Sequence, residues 1–230
     1  MKVFVVGSGK LATEILSTLQ GPPITGVYSW TEISSHKTDD DEEPVVVHAG
    51  SGRELREVFD FCRKLSTPLI ELATGSTIGD FDSKGDFPIV ICPNTNILLI
   101  KFLAMISKAG DSFQDCKKTI LESHQFSKTS APGTAYSIAR SLHVAEDQIE
   151  SVRDPVVQEQ VLGIPTEYLS RHAYHKITIG DPAVNLTFET KVFGVAPYAP
   201  GLARILGAVT QNKLENRVYN ILEFIEEGWV

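Results

Sequence analysis

The chain has 230 residues, with 21 Lys and Arg against 29 Asp and Glu, giving a formal net charge of −8. That acidic balance argues against a nucleic-acid binder, whose affinity rests on neutralising phosphates. Hydrophobic residues make up 42% and charged residues 22%, as in a globular protein of one large domain or two small ones. No apolar run reaches about 18 residues, which excludes a membrane-spanning helix. The opening MKVFVVGSGK reads as a strand running into glycines rather than a signal peptide, so the expected compartment is the cytoplasm. Cys62, Cys92 and Cys116 are dispersed and lack C-x-x-C spacing, so they read as free thiols, with no metal site expected.

Val3 to Val6 is a short apolar run, and Leu11, Ile15, Leu16 and Leu19 follow at helical spacing until Gly21-Pro22-Pro23. Ile24 to Trp30 reads as a second strand, and the acidic run Asp39 to Glu43 as a solvated loop. Val45 to Val47 is a buried strand, followed by His48-Ala49-Gly50-Ser51-Gly52 and a helix over 53–65. Strands at 68–72 and 87–92 end in Ala73-Thr74-Gly75-Ser76 and Pro93-Asn94-Thr95-Asn96. Apolar strands alternating with amphipathic helices predict a Rossmann-type α/β domain with a parallel sheet covered on both faces. Right-handed crossovers then place the loops at 7–12, 48–52, 73–77 and 93–96 along one crevice.

From Ile97 the pattern changes. A helix over 98–108 leads to a strand at 115–121, a polar segment over 122–134 and a helix over 134–142. Residues 172–179 and 184–195 alternate as half-buried strands do, and the tail is helical at 202–209 and 214–227. This predicts an α+β domain with a mixed or antiparallel sheet over 97–206, and a dinucleotide-binding domain formed by 1–96 and 207–230.

Gly7-Ser8-Gly9-Lys10-Leu11-Ala12 is a G-x-G-x-x-A turn between a strand and a helix. The first glycine permits the turn and the second lets backbone approach a pyrophosphate. The small third residue allows close helix–strand packing, while the helix N-terminus supplies donors. An NAD site would place an acid at the end of the second strand. This chain has Tyr28-Ser29-Trp30 there, with Glu32 the nearest acid, and Lys10 in the turn could meet a 2′-phosphate. The expected cofactor is therefore NADPH or NADH, with NADPH favoured.

The second motif runs from Glu122 to Ala135, ESHQFSKTSAPGTA. Pro132-Gly133-Thr134 breaks the chain and opens a helix, so the N–H groups of Gly133 and Thr134 form an expected anion site. Lys128 could add positive charge, and His124 could donate a proton near neutral pH. On spacing alone, a polar loop with a capped helix fits as well.

These residues resemble the dihydrodipicolinate reductase family of bacterial lysine biosynthesis. Its hallmark is E-x-H-H-x-x-K-x-D-A-P-S-G-T-A in the second domain, after a G-x-x-G-x-x-G turn in the first. The resemblance runs in order through the Gly7 turn, the Ala73 loop, the Pro93 segment, Glu122–Ala135 and the alternating strands. It implies an NAD(P)H-dependent reductase of a cyclic imine or enamine dicarboxylate, acting as a homo-oligomer, a tetramer or dimer, without nucleic acid or membrane. His124 would be the general acid. Lys128 would hold the substrate or help to protonate it, Gly133 and Thr134 would bind its carboxylate, and Gln125 would also bind the substrate. Gly7, Ser8, Gly9, Lys10, Leu11, Ser29, Ala49, Gly50, Ala73, Thr74, Gly75, Pro93, Asn94 and Thr95 would hold the cofactor.

The chain departs from that hallmark. Gln125 stands for the second His, Ser130 for the Asp, and no Ser separates Pro132 from Gly133. The glycine turn is a residue shorter, and residues 154–170 lack the family pattern. His172 and His175 follow and either could line the substrate pocket. A paralogous dehydrogenase of another small amino or keto acid, or a non-catalytic dinucleotide sensor, are the alternatives.

Overall fold

A computed structural model describes residues 1–33, 44–73, 86–128, 131–194 and 198–230. They fall into two units, Met1–Ile100 with Tyr198–Val230, and Lys101–Pro197. The acidic run at 39–43, and Thr74, Gly75 and Ser130, lie outside the described residues. In the first unit, β1 (Lys2–Val6), α1 (Lys10–Thr18), β2 (Gly26–Ser29), β3 (Val45–His48), α2 (Leu55–Leu65), β4 (Leu69–Glu71) and β5 (Ile89–Ile91) alternate, and α3 (Ile97–Ala109) leads out. The second unit holds β6 (Lys118–His124), α4 (Gly133–Ser141), β7 (Glu150–Val152), α5 (Pro155–Gln160), β8 (His172–Gly180) and β9 (Asn185–Phe193). The chain closes with α6 (Ala199–Gln211), β10 (Val218–Asn220) and α7 (Ile221–Glu226) in the first unit.

The first unit's sheet is parallel throughout, in the order β10-β5-β4-β3-β1-β2. Its strands are apolar on both faces because helices cover both. Val3, Val5, Val47, Ile70 and Val90 pack in one core with α1, α6 and α7, and Val6, Val46, Leu69 and Ile89 pack in the other with α2. Each such side chain stabilises the fold by about 1.5–3 kcal/mol on burial. The strand order reverses at β1, so the topological switch point lies between the C-terminal ends of β1 and β3.

The second unit's sheet is mixed, in the order β7-β6-β8-β9, with β6 parallel to β7 and antiparallel to β8. Ile120, Ile177 and Ile179 pack there with Ile138, Ala139 and Leu142 of α4. Among the described residues, no helix is long and apolar enough to cross a membrane.

Several expectations are corrected. The strand expected at 115–121 runs from Lys118 to His124, so Glu122 and His124 are strand residues rather than loop. The tail expected as a helix over 214–227 contains β10, which pairs with β5. Asn220 then starts α7 through a capping box with Glu223, its side chain accepting the Leu222 N–H at 3.0 Å. The expected boundary at 206 cuts through α6, a continuous helix whose Leu202, Ile205 and Leu206 belong to the first unit's core. Ile97 and Ile100 of α3 join the same core, which moves the other boundary beyond 96.

Candidate active site

In the first unit, Gly7 follows β1 with φ +130°, a conformation that L side chains rarely adopt. A Cβ there would stand 2.6 Å from the Ala49 carbonyl oxygen, so only glycine lets the turn after β1 close on the turn after β3. Gly9 precedes α1 in an extended conformation, and a Cβ on it would meet nothing within 4 Å. Ser8, Gly9 and Lys10 are exposed, with Leu11 half-buried behind them. The switch point thus carries an open strip of backbone ahead of a helix N-terminus, which fits a pyrophosphate.

At the end of β2 the sequence-based expectation needs correcting. Trp30–Glu32 forms a 3-10 turn, and the Ser29 N–H donates to Glu32 Oε2 at 2.9 Å. Ser29 Oγ lies 3.0 Å from Thr31 Oγ1. A carboxylate therefore does stand at the end of β2, although no acid does in sequence register. The Trp30 ring packs edge-on against Phe61 at 5.3 Å.

The remaining loops follow the same strand ends. The Ala49 N–H donates to the Val6 carbonyl at 2.8 Å, and Ala49 and Gly50 are half-buried. The Ala73 N–H donates to Glu71 Oε1 at 2.7 Å. Pro93 is exposed and Asn94 half-buried, with Asn94 Oδ1 accepting the Asn96 N–H at 2.8 Å. Thr95 is buried and its hydroxyl donates to the Tyr198 carbonyl at 2.8 Å, so its side chain fixes the start of α6.

In the second unit, the alternation that buries Ile120 and Ile177 continues along the same face into polar residues. Glu122 follows Ile120 by two positions, His124 follows Glu122 by two, and His175 pairs opposite Glu122. Pairing extends this row to Ser151 on β7 and Thr190 on β9. Glu122 is wholly buried and accepts hydrogen bonds from His124 Nδ1 at 2.6 Å, Ser151 Oγ at 2.6 Å and Arg153 Nη2 at 2.6 Å. Burial alone would raise its pKa, but hydrogen bonds from His124, Arg153 and Ser151 outweigh it and hold the carboxyl down at about 2. His124 therefore sits against a fixed negative charge through one ring nitrogen, with 14% of its side chain exposed. Its ring lies edge-on to that of His175, centroids 5.8 Å apart.

His175 is wholly buried, with Nδ1 2.9 Å from Thr190 Oγ1. Burial and the neighbouring His124 push its pKa down to about 3, so it is neutral. On the opposite face, His172 is held at both nitrogens, by Ser123 Oγ at 3.0 Å and the Tyr168 carbonyl at 3.1 Å. Gln158 of α5 donates to Ser123 Oγ and to the His124 carbonyl, bracing the strand end.

Lys128 is half-buried, and burial followed by the charge of Arg153 lowers its pKa. Its N–H closes a turn onto the Gln125 carbonyl at 3.0 Å. The Gly133 N–H, expected to face outward, turns back onto the Ala131 carbonyl at 3.0 Å, leaving Thr134 to open α4. Sequence reasoning missed Ser151, Arg153 and Gln158. The one signal within reach was the Asp154-Pro155 helix start, which follows Arg153 directly and opens the helix that carries Gln158.

No family model matches the chain. Two chloroplastic 4-hydroxy-tetrahydrodipicolinate reductases of Arabidopsis thaliana, 2 and 1, are each 33% identical over 153 residues, covering 60% of this chain and 44% of their own length. The chain thus spans less than half the length of those curated relatives. A probable 4-hydroxy-tetrahydrodipicolinate reductase 2 of Oryza sativa subsp. japonica aligns over 225 residues at 27% identity, 89% of this chain and 68% of its own. The dipicolinate-bound dihydrodipicolinate reductase of Paenisporosarcina sp. TG-14 superposes with a TM-score of 0.68 at 16% identity, over 95% of this chain and 97% of that one. The chain is thus similar in sequence to 4-hydroxy-tetrahydrodipicolinate reductases and in fold to a dihydrodipicolinate reductase. A probable dehydrogenase of Thermotoga maritima shares the fold of this chain more loosely, with a TM-score of 0.51 at 9% identity.

Proposed function

We propose that this chain is a divergent dihydrodipicolinate reductase, an NAD(P)H-dependent reductase of a small cyclic imine or enamine dicarboxylate that carries out the 4-hydroxy-tetrahydrodipicolinate reductase reaction. The observation that carries the reading is the buried Glu122 carboxylate holding His124 Nδ1 at 2.6 Å. With Nδ1–H committed to Glu122, Nε2 of the imidazolium is the atom that gives up a proton. The Gly7–Lys10 strip would hold the dinucleotide, and a reduced nicotinamide, when bound, supplies hydride. His124 delivers the proton that completes the two-electron reduction and returns to a neutral ring on its carboxylate. Lys128 and the start of α4 supply positive potential for a substrate carboxylate.

Glu32 bears on the choice between the two dinucleotides. A carboxylate at the end of β2 accepts from a ribose 2′-hydroxyl and repels a 2′-phosphate, which supports NADH over NADPH. Gln125, where the family hallmark has a second His, supports a second reading in which the same machinery reduces another small amino or keto acid.

The test is the fall in nicotinamide absorbance with NADH and NADPH separately, using substrate made in place by dihydrodipicolinate synthase from pyruvate and aspartate semialdehyde. Rapid turnover supports the leading reading. Tight dinucleotide binding without turnover shifts it to the second.

A further inference from the structure

The C-terminal edge of the parallel sheet holds a buried His–Glu pair that the reaction above does not use. β1, β3 and β4 end in one row, with Val6 opposite His48 and His48 opposite Glu71. Alternation along β3 and β4 points both side chains to the face of Val46, Leu69, Leu55 and Val58, an apolar layer. His48 and Glu71 are wholly buried there, with His48 Nδ1 2.8 Å and 2.9 Å from the two carboxylate oxygens. An apolar pair of similar volume would avoid the desolvation of both groups, so packing alone does not account for them.

Two further observations tie the pair to the loops above it. Glu71 Oε1 also accepts the Ala73 N–H, drawing in the first residue of the loop after β4. His48 Nε2 is buried with no hydrogen-bond partner among the described residues. It lies 3.0 Å from where a Cβ on Gly50 would stand, and Gly50 Cα is in turn 3.0 Å from a Cβ position on Gly7. A buried nitrogen without a partner is destabilising, and such atoms persist where something besides stability is served.

We propose that His48 and Glu71 are positioning residues of the dinucleotide site. The imidazole props the 49–52 turn against Gly7 at the switch point, while the carboxylate fixes both the imidazole and the Ala73 N–H. One buried pair thus holds the 49–52 turn and Ala73 in place on the cofactor edge. The inference rests on the dinucleotide-binding reading.

The experiment compares three chains by thermal unfolding and by NADH and NADPH titration followed by protein fluorescence: wild type, Glu71→Gln, and the double substitution His48→Leu with Glu71→Met. The expected result is a double variant with a Tm equal to or above wild type and a dinucleotide Kd raised about tenfold, because the turn that meets the dinucleotide is no longer held in place. The rise should appear in Kd and the dinucleotide KM more than in kcat, which a merely structural role would not produce. A folded double variant with wild-type Kd overturns the inference and leaves the reductase reading standing. Should the double variant fail to fold, Glu71→Gln decides. A raised Kd with a native Tm supports the positioning role, and an unchanged Kd overturns it. A wild-type chain that binds neither dinucleotide overturns the reductase reading, and this inference with it.

Discussion

Nδ1 of His124 lies 2.6 Å from Oε2 of Glu122, and Glu122 is wholly buried while His124 reaches the surface. The proposed acid is thus a partly exposed ring backed by a buried charge. Arg153 and Ser151 hold the other side of that carboxylate, so its negative charge is fixed before any substrate arrives. Removing the carboxylate's charge should change the chemistry without moving the strand. Glu122→Gln presents an amide that can donate where an acceptor is required, and it disfavours the Nδ1–H form of His124. The expected result is a kcat lowered about 10²-fold or more with dinucleotide Kd unchanged, by analogy with carboxylates that fix a catalytic imidazole. Steady-state kinetics beside a dinucleotide titration checks it.

The same unit should lose stability in acid. The pKa of Glu122 is depressed in the folded state, so its contribution is fully present above the ordinary carboxylate range and is lost as the pH falls toward about 2. His175 is also depressed, to about 3, against an unfolded value of about 6.5. Between those values the unfolded chain binds a proton that the folded chain does not, so stability rises with pH by about 1.4 kcal/mol per unit for that one group. His175→Phe should flatten the slope between pH 4 and 6 by about one proton. Denaturant unfolding at several pH values measures it, and an unchanged slope would remove His175 from the acid response.

The two glycines of the first turn should separate fold from binding. Gly7→Ala meets both the positive φ and the Ala49 carbonyl at 2.6 Å, so it should destabilise the unit by about 1–3 kcal/mol or more. Gly9→Ala meets nothing within 4 Å, and its Tm should stay near wild type. Its methyl group would still stand on the strip expected to meet a pyrophosphate, so dinucleotide Kd should rise about tenfold. Equal Kd in Gly9→Ala and wild type would move the dinucleotide away from this turn.

Cofactor choice provides a prediction at Glu32. Glu32→Gln keeps an oxygen for the Ser29 N–H but removes the charge. The NADH-to-NADPH ratio of kcat/KM should fall by about tenfold, chiefly through a better KM for NADPH. A ratio that does not move places the 2′ position elsewhere.

Much of the first unit was legible because its strands are short apolar runs between helical patterns, and parallel topology follows from that alternation. The Gly7 turn carried its own mechanical reason, a close approach to Ala49. Glu32 was misjudged because a 3-10 turn folds the acid back over three residues, which strand register does not reveal. In the second unit, the polar segment was legible as chemistry but not as structure. Glu122 and His124 share a strand face that begins with Ile120, and the polar residues hid that period. Arg153 and Ser151 escaped because β7 has three residues, too few for any periodicity, and its role is set by pairing with β6. The tail read as helix because β10 is equally short and gains its stability from β5 beside it.

The most direct test of the account is His124→Gln, assayed for turnover with in-place substrate and titrated with NADH and NADPH. The account predicts intact dinucleotide binding and a kcat lowered about 10²–10⁴-fold, the usual contribution of a general acid. Wild-type turnover in that variant would contradict it and take the proton donor away from His124.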